Sequence, residues 1–108
     1  MKLGISMPSS SLCFHCQQAA EKYLKAYIIY LSLHYEKVHD LKYLLNIIEK
    51  RREVSNKLKE YAALLNEYTI DSRYPDYWQD PTLSETKECI KAANHFKKYI
   101  NEVFKNIK

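Results

Sequence analysis

Three groups of residues in this chain have types and spacings that can do chemistry. Gln18, Lys22 and Lys25 recur at helical intervals, so a helix carrying them would stack them on one side. Two ammonium groups in such a row can neutralise phosphates, and the Gln18 amide can hydrogen-bond a base or a sugar. Arg73 and Tyr74 stand in Asp71-Ser72-Arg73-Tyr74-Pro75-Asp76-Tyr77-Trp78-Gln79-Asp80-Pro81. A guanidinium is a planar fork suited to phosphate, and Tyr74, Tyr77 or Trp78 can stack on a base, at about 1–3 kcal/mol each. His39, directly before Asp40, is a candidate proton carrier.

Each group also has a plainer account. Gln18, Lys22 and Lys25 read equally as a solvated helix face, with Glu21 and Lys25 as an ordinary i, i+4 pair. Arg73 can bond nearby carbonyls in a turn, or pair with Asp71 or Asp76, for little energy. His39 can simply help cap a helix at Asp40. The cysteines are Cys13, Cys16 and Cys89, an odd number without a disulfide framework. Cys13-Phe14-His15-Cys16 spells C-x-x-C, but no βαβ setting surrounds it as a thioredoxin-like site requires. A zinc site would have only Cys89 and His95 as further ligands. Two small apolar groups one helical turn apart is the simpler reading, so no metal or cofactor is expected.

The elements that must position these residues are helices. The chain has 108 residues, 46% of them hydrophobic and 28% charged, which suits one folded domain with a modest core. Gly4 is the sole glycine, so hairpins and phosphate-cradling loops lack their usual residue. A net charge of +4 permits polyanionic partners without demanding them. No apolar run reaches membrane-spanning length, and residues 1–11 lack the h-region of a secretory signal, leaving a cytoplasmic location as the default.

Residues 1–11, with Gly4, Pro8 and three consecutive serines (Ser9, Ser10 and Ser11), read as a flexible N-terminal segment ending in a cap. Residues 12–108 read as one helical domain. Its first helix, about 12–33, gathers Leu12, Cys16, Ala19, Ala20, Tyr23, Leu24, Tyr27, Tyr30 and Leu31 on one arc, with Gln18, Glu21, Lys22 and Lys25 opposite. Ile29 continues the polar side. Asp40 is placed to cap a second helix carrying Leu41, Leu44, Leu45, Ile47 and Ile48. A third helix, 55–70, carries Leu58, Tyr61, Ala62, Leu65 and Tyr68. Thr82 and Glu85 have capping-box spacing before a last helix lined by Cys89, Ile90, Ala93, Phe96, Tyr99 or Ile100, Val103 and Phe104. The expected fold is an all-α, antiparallel up-and-down bundle of four helices. The ten tyrosines fall mostly on these stripes as core.

Three stretches together resemble one family. Gln17-Gln18-Ala19-Ala20-Glu21-Lys22-Tyr23-Leu24-Lys25-Ala26, then His39-Asp40-Leu41 with Leu44-Leu45, then Arg73-Tyr74-Pro75 are similar, in order and spacing, to motifs of the HEPN family, named for nucleotide binding in higher eukaryotes and prokaryotes. The resemblance implies a nucleotide or RNA ligand, often a minimal nucleotidyltransferase partner in a two-component, toxin–antitoxin-like system, and a homodimer. By analogy with the family, Tyr74 is a candidate acceptor for nucleotidylation. Family members usually carry another amphipathic helix before the Gln-Gln segment, where this chain has about a dozen residues ahead of Cys13; a second subunit covering exposed apolar surface would answer that.

Many members also resemble metal-independent ribonucleases, in which four to six residues separate an arginine from the histidine that follows it. After Arg73 no histidine stands within that reach, so the acid–base partner of the motif is missing. Three functions therefore compete. One is a non-catalytic binding module using Gln18, Lys22, Lys25, His39, Arg73 and Tyr74. Another is an RNA-cleaving toxin using Arg73 with His39 or Tyr74. The third is a structural interaction subunit, to which Ile29 on the polar side points.

Overall fold

The structure is a computed structural model and describes residues 9–68 and 81–105. Arg73 and Tyr74, with Tyr77 and Trp78, lie outside the described residues. Four helices are present: α1 (Ser9–Tyr30), α2 (Leu41–Ile48), α3 (Asn56–Asn66) and α4 (Leu83–Lys105). All four expected helices form, and the fold is an all-α four-helix bundle. α1 begins within the serine run, earlier than the apolar stripe suggests.

Local chemistry sets most helix ends. Asp40 caps α2, its Oδ1 accepting from the amides of Lys42 at 2.9 Å and Tyr43 at 3.3 Å. Ser55 Oγ accepts from the Leu58 amide at 3.2 Å to start α3. At α4 the capping box is reciprocal: the Glu85 amide donates to Thr82 Oγ1 at 3.0 Å, and the Thr82 amide to Glu85 Oε1 at 2.8 Å. α1 ends differently. Ser32 takes φ 61°, the Leu33 amide reaches back to the Ile28 carbonyl at 3.1 Å, and the Ser32 amide to that of Ile29 at 2.9 Å. This is a Schellman termination with serine in the left-handed position that glycine usually takes, at a cost of about 1 kcal/mol.

Packing decides the helix directions. Cys13 and Cys89 share one end of the α1–α4 pair. Tyr27 meets Tyr99 and Phe104 at the other, so α1 and α4 run the same way. α3 runs against α4: Tyr61 sits on His95, while Tyr68, just beyond α3, lies near Cys89. α3 also runs against α2, because Asn66 at its end receives the Leu41 amide at the start of α2. The connection 31–40 folds back along α1, tied to α2 by the Glu36 amide donating to Tyr43 Oη at 2.9 Å. α2 therefore starts beside Gln17 and Glu21 and ends where Arg51 reaches the Leu31 carbonyl. The up-and-down alternation is carried by α2, α3 and α4, and the doubling back of 31–40 sets α2 in the same sense as α1.

The core is a single cluster fed by all four helices. The stripe expected on α2 is buried at every position, and on α3 Leu58, Tyr61, Ala62 and Leu65 are buried as read from the sequence. On α4 the buried line is Thr86, Cys89, Ala92, Phe96 and Ile100, with Ile90, Ala93, Tyr99, Val103 and Phe104 half-buried beside it. α1 departs most from expectation. Its buried face comprises Cys13, Cys16, Gln17, Ala20, Glu21, Leu24, Tyr27 and Ile28, with Leu31 buried just past its end. Leu12, Ala19 and Tyr23 are only half-buried and Tyr30 is exposed. The expectation that Glu21 lies on the solvated side is overturned, because the start of α2 packs there and supplies its partners.

Candidate functional site

The corner where α1 meets the start of α2 concentrates the polar chemistry. Gln17 is fully buried and Glu21, one turn on, is 5% exposed. A carboxylate loses several kcal/mol of hydration when buried this way and persists only with strong partners. Glu21 has them. Lys25 Nζ donates to Oε2 at 2.8 Å. His39 Nδ1 lies 3.0 Å from Oε1 and 3.2 Å from Oε2. Gln18 Nε2 donates to Oε1 at 3.3 Å, and Gln17 Nε2 approaches the same oxygen at 3.5 Å. Burial works to raise the Glu21 pKa, but the hydrogen bonds from Lys25 and His39 and the charge of Lys25 outweigh it and hold the carboxyl below its ordinary range. Glu21 is therefore an anion near neutral pH.

An ionised carboxylate can only accept. His39 Nδ1 must then carry its proton, and in the neutral ring Nε2 is left bare. The His39 side chain is 38% exposed, and its Nε2 has no partner among the described residues. A second bond fixes the backbone behind the ring: Gln17 Nε2 donates to the His39 carbonyl at 2.9 Å. Asn66 Nδ2 then donates to Asp40 Oδ1 at 2.8 Å, joining α3 to the same joint. The ring is thus held through both its side chain and its main chain.

Of the residues expected from sequence to form a site, Gln18, Lys25 and His39 are brought together around Glu21. Lys22 is exposed on the same helix, one turn from Gln18. Lys25 keeps two further N–H groups beyond its Glu21 bond, with the Tyr35 ring centroid 5.6 Å from Nζ. Arg73 and Tyr74 fall outside the described residues. Sequence reasoning missed Gln17 and Glu21 as organisers. The signal was present: the row Cys13, Gln17, Glu21, Ile28 places two polar groups in an otherwise apolar line, and a paired polar break in a buried stripe calls for a partner from another element.

A family model for the HEPN domain matches residues 7–103. The chain belongs to the HEPN family. No curated protein and no solved structure matches it significantly. As a HEPN domain the chain is a nucleotide- or RNA-related module in general terms, and the Gln-Gln-Ala-Ala-Glu-Lys and His-Asp-Leu stretches of this domain are the two that meet at Glu21. No helix of the described residues is long and apolar enough to cross a membrane.

Among the described residues, the remaining chemistry-bearing side chains build no second centre of this kind. Cys13, Cys16 and Cys89 are free and buried. Burial and the neighbouring Cys13 sulfur push Cys16 up to about 11, and burial also raises Cys89, so the Cys16 and Cys89 thiols stay protonated and unreactive near neutrality. Among the described residues no group of three or more His, Cys, Asp or Glu side chains is arranged to hold a metal ion. A cleft of about 500 Å³ between the start of α3 and α4 is lined by Glu53, Val54, Ser55, Asn56, Leu58 and Tyr99; none of Gln18, Lys22, Lys25 and His39 lines it.

Proposed function

We propose that this HEPN domain binds a nucleotide, free or at the end of an RNA, at the Glu21 corner. The observation that carries the proposal is that one buried anion holds Lys25, Gln18 and His39 side by side at the surface. Ion pairing with Glu21 fixes the Lys25 stem while two of its donors stay available, and exposed Lys22 adds a second cation. Phosphates suit these two lysines. Arg73 and Tyr74 are proposed to add a guanidinium and a stacking ring. The domain is proposed to act as a homodimer with a minimal nucleotidyltransferase partner in a two-component system, a reading supported by its family and by the exposed apolar Ile29 and Tyr30.

Titration calorimetry with ATP, GTP and short RNAs tests the binding. Heat is expected with at least one of them, reduced severalfold in Lys25→Ala or His39→Ala. Absence of heat and of spectral shift with all of them at millimolar ligand would sink the proposal. RNA that is shortened by wild type, but not by Arg73→Ala, would replace binding by cleavage. Sedimentation of a stable monomer at micromolar protein would remove the homodimer.

A further inference from the structure

The polarity of the Glu21 corner is fixed from inside, and this determines what it offers outside. Two groups in it can only accept: the Glu21 carboxylate and the His39 backbone carbonyl. The carbonyl takes Gln17 Nε2 at 2.9 Å, which turns Gln17 Oε1 toward Gln18. Gln17 Oε1 then takes Gln18 Nε2 at 2.7 Å, and that nitrogen also faces Glu21 Oε1 at 3.3 Å. Flipping either amide would set oxygen against oxygen. Both donors of Gln18 are therefore used inward, and its Oε1 has no partner among the described residues. By the same logic Glu21 takes the Nδ1 proton of His39, which in the neutral ring leaves Nε2 bare. Gln18 Nε2 and His39 Nδ1 share one Glu21 oxygen, so the two unpartnered atoms belong to neighbouring side chains.

We infer that the corner reads its ligand through two hydrogen-bond acceptors, His39 Nε2 and Gln18 Oε1, and so selects a nucleoside by its hydroxyl or amine donors while phosphates go to Lys22 and Lys25. This rests on the nucleotide-binding reading above and assigns its contacts. An acceptor aimed at a phosphate oxygen repels it, whereas a ribose hydroxyl or exocyclic amine matches it. Glu21 is a positioning residue: it touches His39 and not the ligand.

The test compares four probes by calorimetry at neutral pH: ATP, 2′-deoxy-ATP, purine riboside triphosphate, which lacks the exocyclic amine, and tripolyphosphate. At least one of the two analogues is expected to bind about tenfold more weakly than ATP, because it leaves an acceptor unpaired. His39→Ala is expected to weaken ATP by a similar factor and leave tripolyphosphate unchanged. His39→Gln serves in its place if the alanine variant melts early. Nitrogen-15 NMR of the His39 ring is expected to show the Nδ1–H tautomer in wild type and a loss of that preference in Glu21→Gln. Equal binding of ATP and both analogues, equal loss of tripolyphosphate on replacing His39, or an Nε2–H tautomer in wild type would each overturn this inference alone. No binding of ATP at all would overturn the binding reading and this inference with it.

Discussion

The two ends of the α1–α4 pair bury their side chains in opposite ways. At one end, beside the start of α2, the interior holds Gln17 and Glu21, and their polar atoms are matched to donors and acceptors at set distances. At the other end Tyr27 stacks on Tyr30 at 6.4 Å and meets Tyr99 and Phe104 edge-on at 6.1 and 5.7 Å. Ring contacts tolerate small shifts, whereas a buried carboxylate with several partners does not. The aromatic end thus supplies stability and the polar end specifies geometry. A ligand site needs the second property, which is a physical reason to place function at Glu21 and not at the tyrosines.

If that division is right, the largest loss of stability belongs to the aromatic end. Tyr27 is buried against three other rings. Tyr27→Ala is expected to cost about 3–4 kcal/mol in urea unfolding, the range for emptying a buried aromatic site. Nucleotide affinity, measured where the variant is still folded, should change little. A matching loss of affinity would show that the two ends are coupled and break the comparison.

Glu21→Ala comes next. It removes the shared acceptor of Lys25, His39 and Gln18, but Lys25 and His39 are partly exposed and regain water. The expected cost is roughly 2–3 kcal/mol, that of losing charge-assisted bonds and not of stranding a fully buried charge. Here affinity should fall with stability, the reverse of Tyr27→Ala.

The difference between the ends also explains what could be read from sequence. The apolar stripes of α2 and α3, the Asp40 cap and the Thr82–Glu85 box are local: residue type and spacing within one element determine them. The four-helix all-α bundle followed. The face of α1 was read with Glu21 outside because helical spacing alone groups Glu21 with Lys22 and Lys25. What buries Glu21 is the arrival of His39 after a ten-residue connection doubles back, a long-range event with no signature inside α1. Likewise Asn66, which bonds both Asp40 and Leu41, is a polar residue at a helix end until α2 is placed beside it. Gln18, Lys25 and His39 were legible as candidates from their types, but Gln17 and Glu21, which arrange them, were not.

Acid sharpens the contrast further. The Glu21 carboxyl is held below its ordinary range in the folded protein, so the folded state binds fewer protons there than the unfolded state. Its contribution is present in full above the unfolded glutamate pKa, about 4.3, and is lost as pH falls through the depressed folded value. Glu21→Gln is expected to flatten this acid limb of stability while lowering the neutral plateau. Tyr27 variants keep the limb with its shape unchanged. Urea midpoints between pH 3 and 7 check both. A limb that persists unaltered in Glu21→Gln would assign it to other carboxylates.

The smallest effect is a gain, and it comes from the aromatic end. Tyr99 Oη is buried without a hydrogen-bond partner among the described residues. Burial pushes its pKa up to about 12, with Tyr27 adding and Arg52 opposing, so the hydroxyl stays neutral and desolvated. A buried polar atom without a partner costs about 1–3 kcal/mol, while the ring contact with Tyr27 does not need the oxygen. Tyr99→Phe is therefore expected to raise stability by about 1 kcal/mol, read as a higher urea midpoint at unchanged slope. The corresponding removal of one polar atom at the other end, as in Gln17→Leu, should do the opposite, because its amide serves His39 and Gln18 together. A loss of stability in Tyr99→Phe would mean that the hydroxyl has a partner in solution, and the aromatic end would then share the polar logic of Glu21.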